Sequence, residues 1–285
     1  MNAMSITNLL FIPGNISHRF QKGLDSLTDC LVLDLEDSVG AQDKENARHS
    51  VFEWLCRKET QNRTKRQTLS IRVNSIDSPY INQDTSAIIQ SIKTGNAPDL
   101  IFVPKVEDPV QFSNWIDTWS KLGEKTPSVI ALIESARGIK FLDEICQSHS
   151  KLVGLGFGGA DLSADLRCNF DFESLLFFRS QMVMHAALYH LALWDVPYLD
   201  FHDSQGLRLE TTKVKGLGFT GKFAIHPQQI PIIKEVFEPT PIELEWAKEI
   251  ISIYEKNQGD VFSYKGKMID EPLILKAKDI LVKST

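Results

Sequence analysis

The chain has 285 residues, with 31 Lys and Arg against 37 Asp and Glu for a formal net charge of −6, and is 42% hydrophobic and 24% charged. These proportions exclude a disordered chain, a collagen-like repeat and a small disulfide scaffold. The mildly acidic balance argues against a nucleic-acid binder working through bulk charge. Cys30, Cys56, Cys146 and Cys168 form no C-x-x-C pair, and no His lies at metal-ligand spacing from them, so they read as reduced thiols of a cytoplasmic protein. The opening MNAMSITNLLFIP lacks a basic n-region and a small-residue cleavage site, so no signal peptide is expected. The longest uncharged run, Ser180 to Trp194, is too short and too polar to span a bilayer.

In chain order, eight short apolar runs read as strands: Leu9–Pro13, Cys30–Asp37, Thr68–Asn74, Leu100–Val106, Ser128–Ser135, Leu152–Phe157, Val196–His202 and Phe219–His226. Each is nearly continuously apolar, as in strands buried on both faces. Helix-compatible segments such as Asp43–Arg57 and Pro109–Leu122 lie between them. Strand–helix alternation implies parallel pairing with right-handed crossovers, and eight such units favour a closed TIM-type (β/α)8 barrel over an open doubly wound sheet. A tail follows. Thr240-Pro241 opens a helix to Lys256, a turn and a β-like stretch come next, and a last helix begins near Glu271. The expected organisation is a barrel over 1–238 and a C-terminal helical, lid-like extension over 239–285.

Charge interrupts these runs mainly at their C-terminal ends, where an α/β barrel carries its active site. Strand two ends in Asp34, Glu36 and Asp37, strand three carries Arg72 and Asn74, strand four Lys105 and strand five Glu134. Strand six runs into a Gly-rich turn ending at Asp161; strand seven, as read here, ends in Asp200 and His202, and strand eight in His226. Such a ring of ionisable groups is costly unless they pair, bind a metal or meet a charged ligand. Glu134 and Asp161 end consecutive strands, and two carboxylates roughly 4.8 Å apart repel unless a cation lies between them. An all-oxygen pair suits Mg2+ first and Mn2+ second. The turn Gly154–Asp161 matches neither a dinucleotide fingerprint nor a P-loop; it reads either as amides from Gly158 to Asp161 facing an anion or as a tight packing turn. Arg72 suits a substrate carboxylate or a buried pair with Glu36 or Asp37. Lys105 suits an ion-pair strut better than a Schiff base.

Together the segments resemble a known family. Phe11-Ile-Pro-Gly-Asn15, Leu33-Asp-Leu-Glu-Asp-Ser-Val39, Ile71-Arg-Val-Asn74, Val103-Pro-Lys-Val-Glu107, Ala131-Leu-Ile-Glu-Ser-Ala-Arg-Gly138, Phe157-Gly-Gly-Ala-Asp-Leu162, Leu217-Gly-Phe-Thr-Gly-Lys-Phe-Ala-Ile-His-Pro227 and Lys267-Met-Ile-Asp-Glu-Pro272 come in the order of the HpcH/HpaI aldolase and citrate lyase superfamily, and the chain resembles its citrate lyase beta-subunit-like members. Two positions depart from the common pattern: Ile16 stands where a basic residue is frequent, and the turn at Phe157–Asp161 keeps the metal-ligand position but lacks a neighbouring acid.

The resemblance implies a trimer or hexamer of TIM-like barrels, with Mg2+ held by Glu134 and Asp161. It implies that Arg72 grips the carboxylate of a 2-oxo acid or its adduct, with Gly159, Ala160 and Asp161 at the same acid end and Glu36, Asp37 and Lys105 in support. It implies that Arg19 and Lys22 meet CoA phosphates and that Asp270 reaches a neighbouring subunit's site. The implied reaction is cleavage or formation of a 3-hydroxy-3-carboxyacyl thioester such as citramalyl-, malyl- or citryl-CoA. Alternatives are a metal-dependent aldolase on free hydroxy-oxo acids, a Schiff-base aldolase using Lys105, and a subunit of a citrate lyase complex that works on an acyl carrier protein.

Overall fold

The structure is a computed structural model and describes residues 3–26, 28–57, 67–123, 125–257 and 260–282. The chain divides into two compact units, Met1–Ile233 and Lys234–Thr285.

In the first unit, eight strands close into a barrel in chain order: β1 (Asn8–Pro13), β2 (Cys30–Asp34), β3 (Thr68–Arg72), β4 (Leu100–Val103), β5 (Ser128–Ile133), β6 (Leu152–Phe157), β7 (Ala192–Asp195) and β8 (Gly221–Ala224). Every pairing is parallel, including β8 with β1. The helices are α1 (Phe20–Asp25), α2 (Lys44–Leu55), α3 (Ile81–Thr94), α4 (Pro109–Asp117), α5 (Ala136–Lys140), α6 (Leu142–Gln147), α7 (Gly159–Leu166), α8 (Leu176–Leu188), α9 (Ser204–Leu217) and α10 (Gln229–Phe237). The division between the units falls inside α10. Local chemistry sets several helix ends. The Asp108 side chain caps α4 ahead of Pro109, Asp203 caps α9, and Gly95 and Gly218 end α3 and α9 at positive φ.

Alternate strand residues point inward and fill the barrel. Leu9, Cys30, Val32, Leu100, Phe102, Ile130, Leu132, Ala192, Trp194 and Phe223 belong to one buried cluster. Phe11, Phe102 and Phe223 meet edge to face at centroid distances of 5.1–6.1 Å. β6 makes room for them with glycine. A Cβ on Gly154 would lie 2.5 Å from the Trp194 ring, and one on Gly156 would lie 2.3 Å from Leu132 and 2.7 Å from Phe223.

Strand seven differs from the sequence reading. It is Ala192–Asp195, whereas residues 196–202 form the loop that follows it, with Leu199, Asp200, Phe201 and His202 exposed. The end of α8, a turn through His190 at φ 54° and the start of β7 share one uncharged stretch, so polarity marks no boundary. Pro197 lies beyond the strand, where its missing N–H costs no ladder bond.

In the second unit, α11 (Pro241–Lys256) starts with a reciprocal Thr240–Glu243 capping box and Pro241 at its first turn. A hairpin of β9 (Phe262–Tyr264) and β10 (Lys267–Ile269) follows; the sequence reading contained its first strand as a β-like stretch but not the second. Its two-residue turn has positive φ at both Lys265 (47°) and Gly266 (77°), the primed-turn geometry that matches strand twist. α12 (Glu271–Val282) ends the described chain, and Ala247, Ile250, Ile269, Ile274, Ala277 and Ile280 form this unit's own core.

Candidate active site

The inward parity that fills the barrel also selects the groups at its C-terminal mouth. Two residues beyond Val32 on β2 is Asp34, two beyond Ser70 on β3 is Arg72, and two beyond Leu132 on β5 is Glu134. Asp34 and Arg72 are register partners on adjacent strands. Asp34 Oδ1 accepts from Arg72 Nε at 2.7 Å, and its Oδ2 accepts from Nη2 at 2.6 Å, a side-on fork. The carboxylate also accepts the Glu36 and Ser38 backbone amides (2.9 and 3.2 Å) and the Ser38 hydroxyl (2.5 Å). Burial pushes the Asp34 carboxyl up, but the Arg72 charge and these bonds outweigh it and hold it below the usual carboxylate range.

The sequence reading offered Glu36 or Asp37 as the buried partner of Arg72; Glu36 is one ion-pair partner, and Asp34, which that reading did not offer, is the hydrogen-bonded one. Glu36 Oε2 lies 3.0 Å from Arg72 Nη1, yet it accepts no hydrogen bond. Glu36 thus faces Nη1 as a charge partner without a hydrogen bond, and the Arg72 side chain keeps 14% exposure. Phe11 supports the guanidinium from 5.4 Å. Asp37 is exposed and, among the described residues, pairs with Lys105.

Lys105 sits past β4 at φ 54°, a left-handed conformation unusual for a residue with a side chain. That turn aims its N–H at Glu134 Oε2, 3.0 Å away, while its Nζ meets Glu36 Oε1 at 2.7 Å and Asp37 Oδ1 at 3.2 Å. Burial pulls the ammonium's pKa down, but Glu36 and Asp37 raise it above the ordinary lysine value. An ammonium held this way is a poor amine nucleophile, which removes the chemical basis for a Schiff-base reading. The nearly buried Lys44, which sequence reasoning missed, donates to the Leu35 and Glu36 carbonyls at 2.7 and 2.8 Å and pins the same loop.

Glu134 is another buried acid at the mouth. It is 6% exposed. Burial, followed by repulsion from Glu36 and Asp161, moves its pKa up to about 7 against the opposing pull of Arg72 and the Lys105 amide. Apart from that amide, no hydrogen bond reaches it among the described residues. Its side chain lies across Gly158, where an added Cβ would come within 2.1 Å of Glu134 Cγ. The Gly158 amide itself is spent on the Ile133 carbonyl at 3.0 Å. The amides of Gly159, Ala160 and Asp161 open α7, where a helix leaves its N–H groups without intrahelical acceptors. The Asp161 side chain is exposed in that first turn.

The donors at this point are oxygens. One carboxylate is buried and incompletely bonded, and a second acid is close enough to raise its pKa. That set fits a hard divalent cation such as Mg2+, which takes one or two carboxylates and leaves its other positions to water and substrate. Among the described residues, no group of three or more His, Cys, Asp or Glu converges as a complete cage.

The remaining sequence candidates lie elsewhere. Arg19 and Lys22 are exposed beyond β1, Arg19 closing the 3-10 turn Ser17–Arg19 and Lys22 in α1. Asp270 is exposed in the second unit, between β10 and α12. His226 stacks on Phe201 at 4.9 Å, and His202 lies in the exposed loop. No described helix is long and apolar enough to cross a membrane.

Residues 7–227, most of the chain, match the model of the HpcH/HpaI aldolase/citrate lyase family. The chain belongs to the HpcH/HpaI aldolase/citrate lyase family. Relatives in it include human mitochondrial citramalyl-CoA lyase (32% identical, covering 97% of this chain and 85% of that protein) and citrate lyase subunit beta of Escherichia coli K12 (30%, covering 96% and 91%). Among solved structures, the Mycobacterium tuberculosis CitE protein in complex with magnesium, acetoacetate and coenzyme A superposes with a TM-score of 0.80 at 26% identity, covering 98% of this chain and 97% of that one. The superposition shows the same barrel fold in that structure, and five of the motifs that carry the resemblance place Asp34–Asp37, Arg72, Lys105, Glu134 and Asp161 at the C-terminal mouth of this chain's barrel.

Proposed function

We propose that the chain is a Mg2+-dependent carbon–carbon lyase, with Mn2+ as a substitute ion. It would cleave, or form, a 3-hydroxy-3-carboxyacyl thioester such as citramalyl-, malyl- or citryl-CoA, giving an acetyl thioester and a 2-oxo acid. One observation carries the reading: the buried, incompletely bonded Glu134 carboxylate at the barrel mouth, charge-coupled to Arg72 and Asp161. The family membership and its named lyases support it.

Glu134 and Asp161 would hold the ion. Bound there, Mg2+ supplies Lewis-acid polarisation of the substrate's hydroxyl and carboxylate oxygens. Arg72 binds the substrate carboxylate, and the clamp from Asp34 fixes the guanidinium in place. The amides of Gly159, Ala160 and Asp161 orient the same acid end. Glu36, Asp37 and Lys105 hold the loops around it. Asp270 of a neighbouring subunit delivers the proton to the enolate carbon in cleavage and removes it in condensation. Arg19 and Lys22 meet the CoA phosphates. The assembly is a homotrimer or hexamer, and the cysteines, all free among the described residues, suit the cytoplasm.

The test is a coupled assay of the purified chain with Mg2+ and racemic citramalyl-CoA, following pyruvate with and without EDTA. Release stopped by EDTA supports a self-sufficient thioester lyase. Silence from a folded chain that binds Mg2+ with pyruvate or oxaloacetate refutes it in favour of a carrier-linked subunit or a free-acid aldolase.

A further inference from the structure

We propose that Arg179 is a positioning residue for the turn that carries Asp161: its guanidinium, wedged between the rings of Phe157 and Phe172, fixes the end of β6 and with it the first turn of α7. This rests on reading Glu134 and Asp161 as cation ligands.

Arg179, on α8, is 1% exposed and far too buried to meet a substrate. Its Nε donates to Asp195 Oδ1 at 2.8 Å, and its Nη1 reaches the Phe172 carbonyl at 3.5 Å. The wholly buried Lys222 donates to Asp195 Oδ2 at 2.6 Å, and its ammonium also meets the Val196 carbonyl at 2.6 Å and Glu210 Oε1 at 2.7 Å. Arg179 and Lys222 together balance Asp195 and Glu210, but charge balance alone does not choose an arginine over a lysine at position 179.

The flat faces of the guanidinium do. The Arg179 Cζ lies 4.9 Å from the Phe157 ring centroid and 5.1 Å from that of Phe172. A guanidinium can stack on both rings while donating in its own plane; an ammonium cannot. Phe157 is the last residue of β6, and its ring walls the start of α7. A Cβ on Gly159 would lie 3.0 Å from Phe157 Cε1, and 3.3 Å from both Leu175 and Phe170 of the loop that Arg179 also holds. Asp161 is two residues further along, so a Phe157 ring free to tilt shifts the carboxylate that shares the cation with Glu134.

Two substitutions separate positioning from bulk stability. Arg179→Lys keeps the positive charge beside Asp195 but removes the planar stack. Glu210→Gln cuts the same charge cluster at its outer end, away from Phe157. Mn2+ affinity is read from the electron paramagnetic resonance signal of the free ion, alongside the thermal midpoint. Arg179→Lys should weaken Mn2+ about tenfold, the low end of the effect of outer-shell partners. Glu210→Gln should lower the midpoint while leaving Mn2+ affinity within about twofold, as expected of a change outside the ligand shell. Should Arg179→Lys fail to fold, Phe172→Leu removes one ring of the stack, leaves the bond to Asp195, and should weaken Mn2+ in the same direction. Wild-type affinity in the folded Arg179→Lys or Phe172→Leu protein overturns the proposal, as does weakening by Glu210→Gln in proportion to its loss of stability. A wild-type chain that binds no Mn2+, or binds it unchanged after Glu134→Gln, refutes the ligand reading itself and the proposal with it.

Discussion

Replacing Gly158 by alanine tests the site through a single methyl group. Gly158 has φ −93° and ψ 66°, on the negative-φ side open to any L-residue. Gly→Ala at a compatible position ordinarily stabilises a protein by about 0.4–1 kcal/mol, because the unfolded chain loses freedom. Here the new Cβ would lie 2.1 Å from Glu134 Cγ, 2.8 Å from its Oε1 and 2.9 Å from its Cβ. Favourable carbon–carbon contact begins near ~3.5 Å, so the Glu134 stem must retreat by roughly 1.4 Å (3.5 minus 2.1). Mg2+ demands near-ideal octahedral geometry at about 2.0–2.1 Å and does not follow a ligand that far. A misplacement of about 1 Å in a reacting constellation costs on the order of 100-fold. Overpacking adds about 1–3 kcal/mol of destabilisation. The expected result is a folded Gly158→Ala protein with a thermal midpoint a few degrees lower and cation affinity reduced by one to two orders of magnitude, read by isothermal titration with Mn2+. A Gly158→Ala protein as stable as wild type, with unchanged Mn2+ affinity, would refute both the close approach of Glu134 and its role as a ligand.

Four further outcomes follow from the same geometry. Glu134→Ala and Asp161→Ala should each abolish metal-dependent turnover, and normal activity in either removes it from the ligand set. Asp34→Asn leaves the buried Arg72 with Glu36 alone of its two charge partners, and breaking such a pair outright costs about 3–5 kcal/mol. It should raise KM for the 2-oxo acid more than it changes Mn2+ affinity, and equal effects on both would deny the clamp. Glu134, with a folded pKa near 7 against an ordinary 4.5, keeps a proton between those values that the unfolded chain has released. Its stabilising contribution is therefore full below about 4.5 and is lost as the pH rises through about 7, while cation binding, which needs the carboxylate, tightens up to about tenfold per pH unit below 7. Mn2+ affinity that is flat from pH 5.5 to 7.5 would contradict this. Asp270→Asn and Glu134→Ala proteins, each inactive alone, should regain part of the activity when unfolded and refolded together, and no recovery would argue against an acid supplied across subunits.

The barrel was legible because its strands are short, apolar and separated by helical segments, which leaves few other ways to bury eight such runs. Seven of the eight strands overlap the expected runs. β7 does not, because its four residues follow α8 within one uncharged stretch and because its closing charge, Asp195, is wholly buried and paired with Arg179 and Lys222. A buried acid facing the helix layer looks, in sequence, like the start of a loop. In the second unit β9 matches the expected β-like stretch, but its pairing with β10 was not legible for a related reason. Lys265-Gly266 forms the hairpin turn without an Asn-Gly or Asp-Gly signal, and the two strands have only three residues each.

The site was legible in kind before it was legible in geometry. Charges at strand ends marked the mouth of the barrel, but which groups pair depends on register and parity together. Asp34, Glu36 and Asp37 are equally acidic in sequence, yet only Asp34 shares both the inward parity and the register level of Arg72. The same rule explains the glycines. Gly154, Gly156 and Gly158 stand at alternate positions of β6 and its extension, and each faces a larger inward group: Trp194, then Leu132 with Phe223, then Glu134. The first two yield space to the apolar core and the third to the acid, so the packing that closes the barrel continues one layer further as the seat of the candidate metal ligand. The chemistry is thus held by the same alternation that builds the fold. A substitution at Gly158 should therefore weigh more on cation binding than on folding, whereas one at Gly154 or Gly156 should do the reverse.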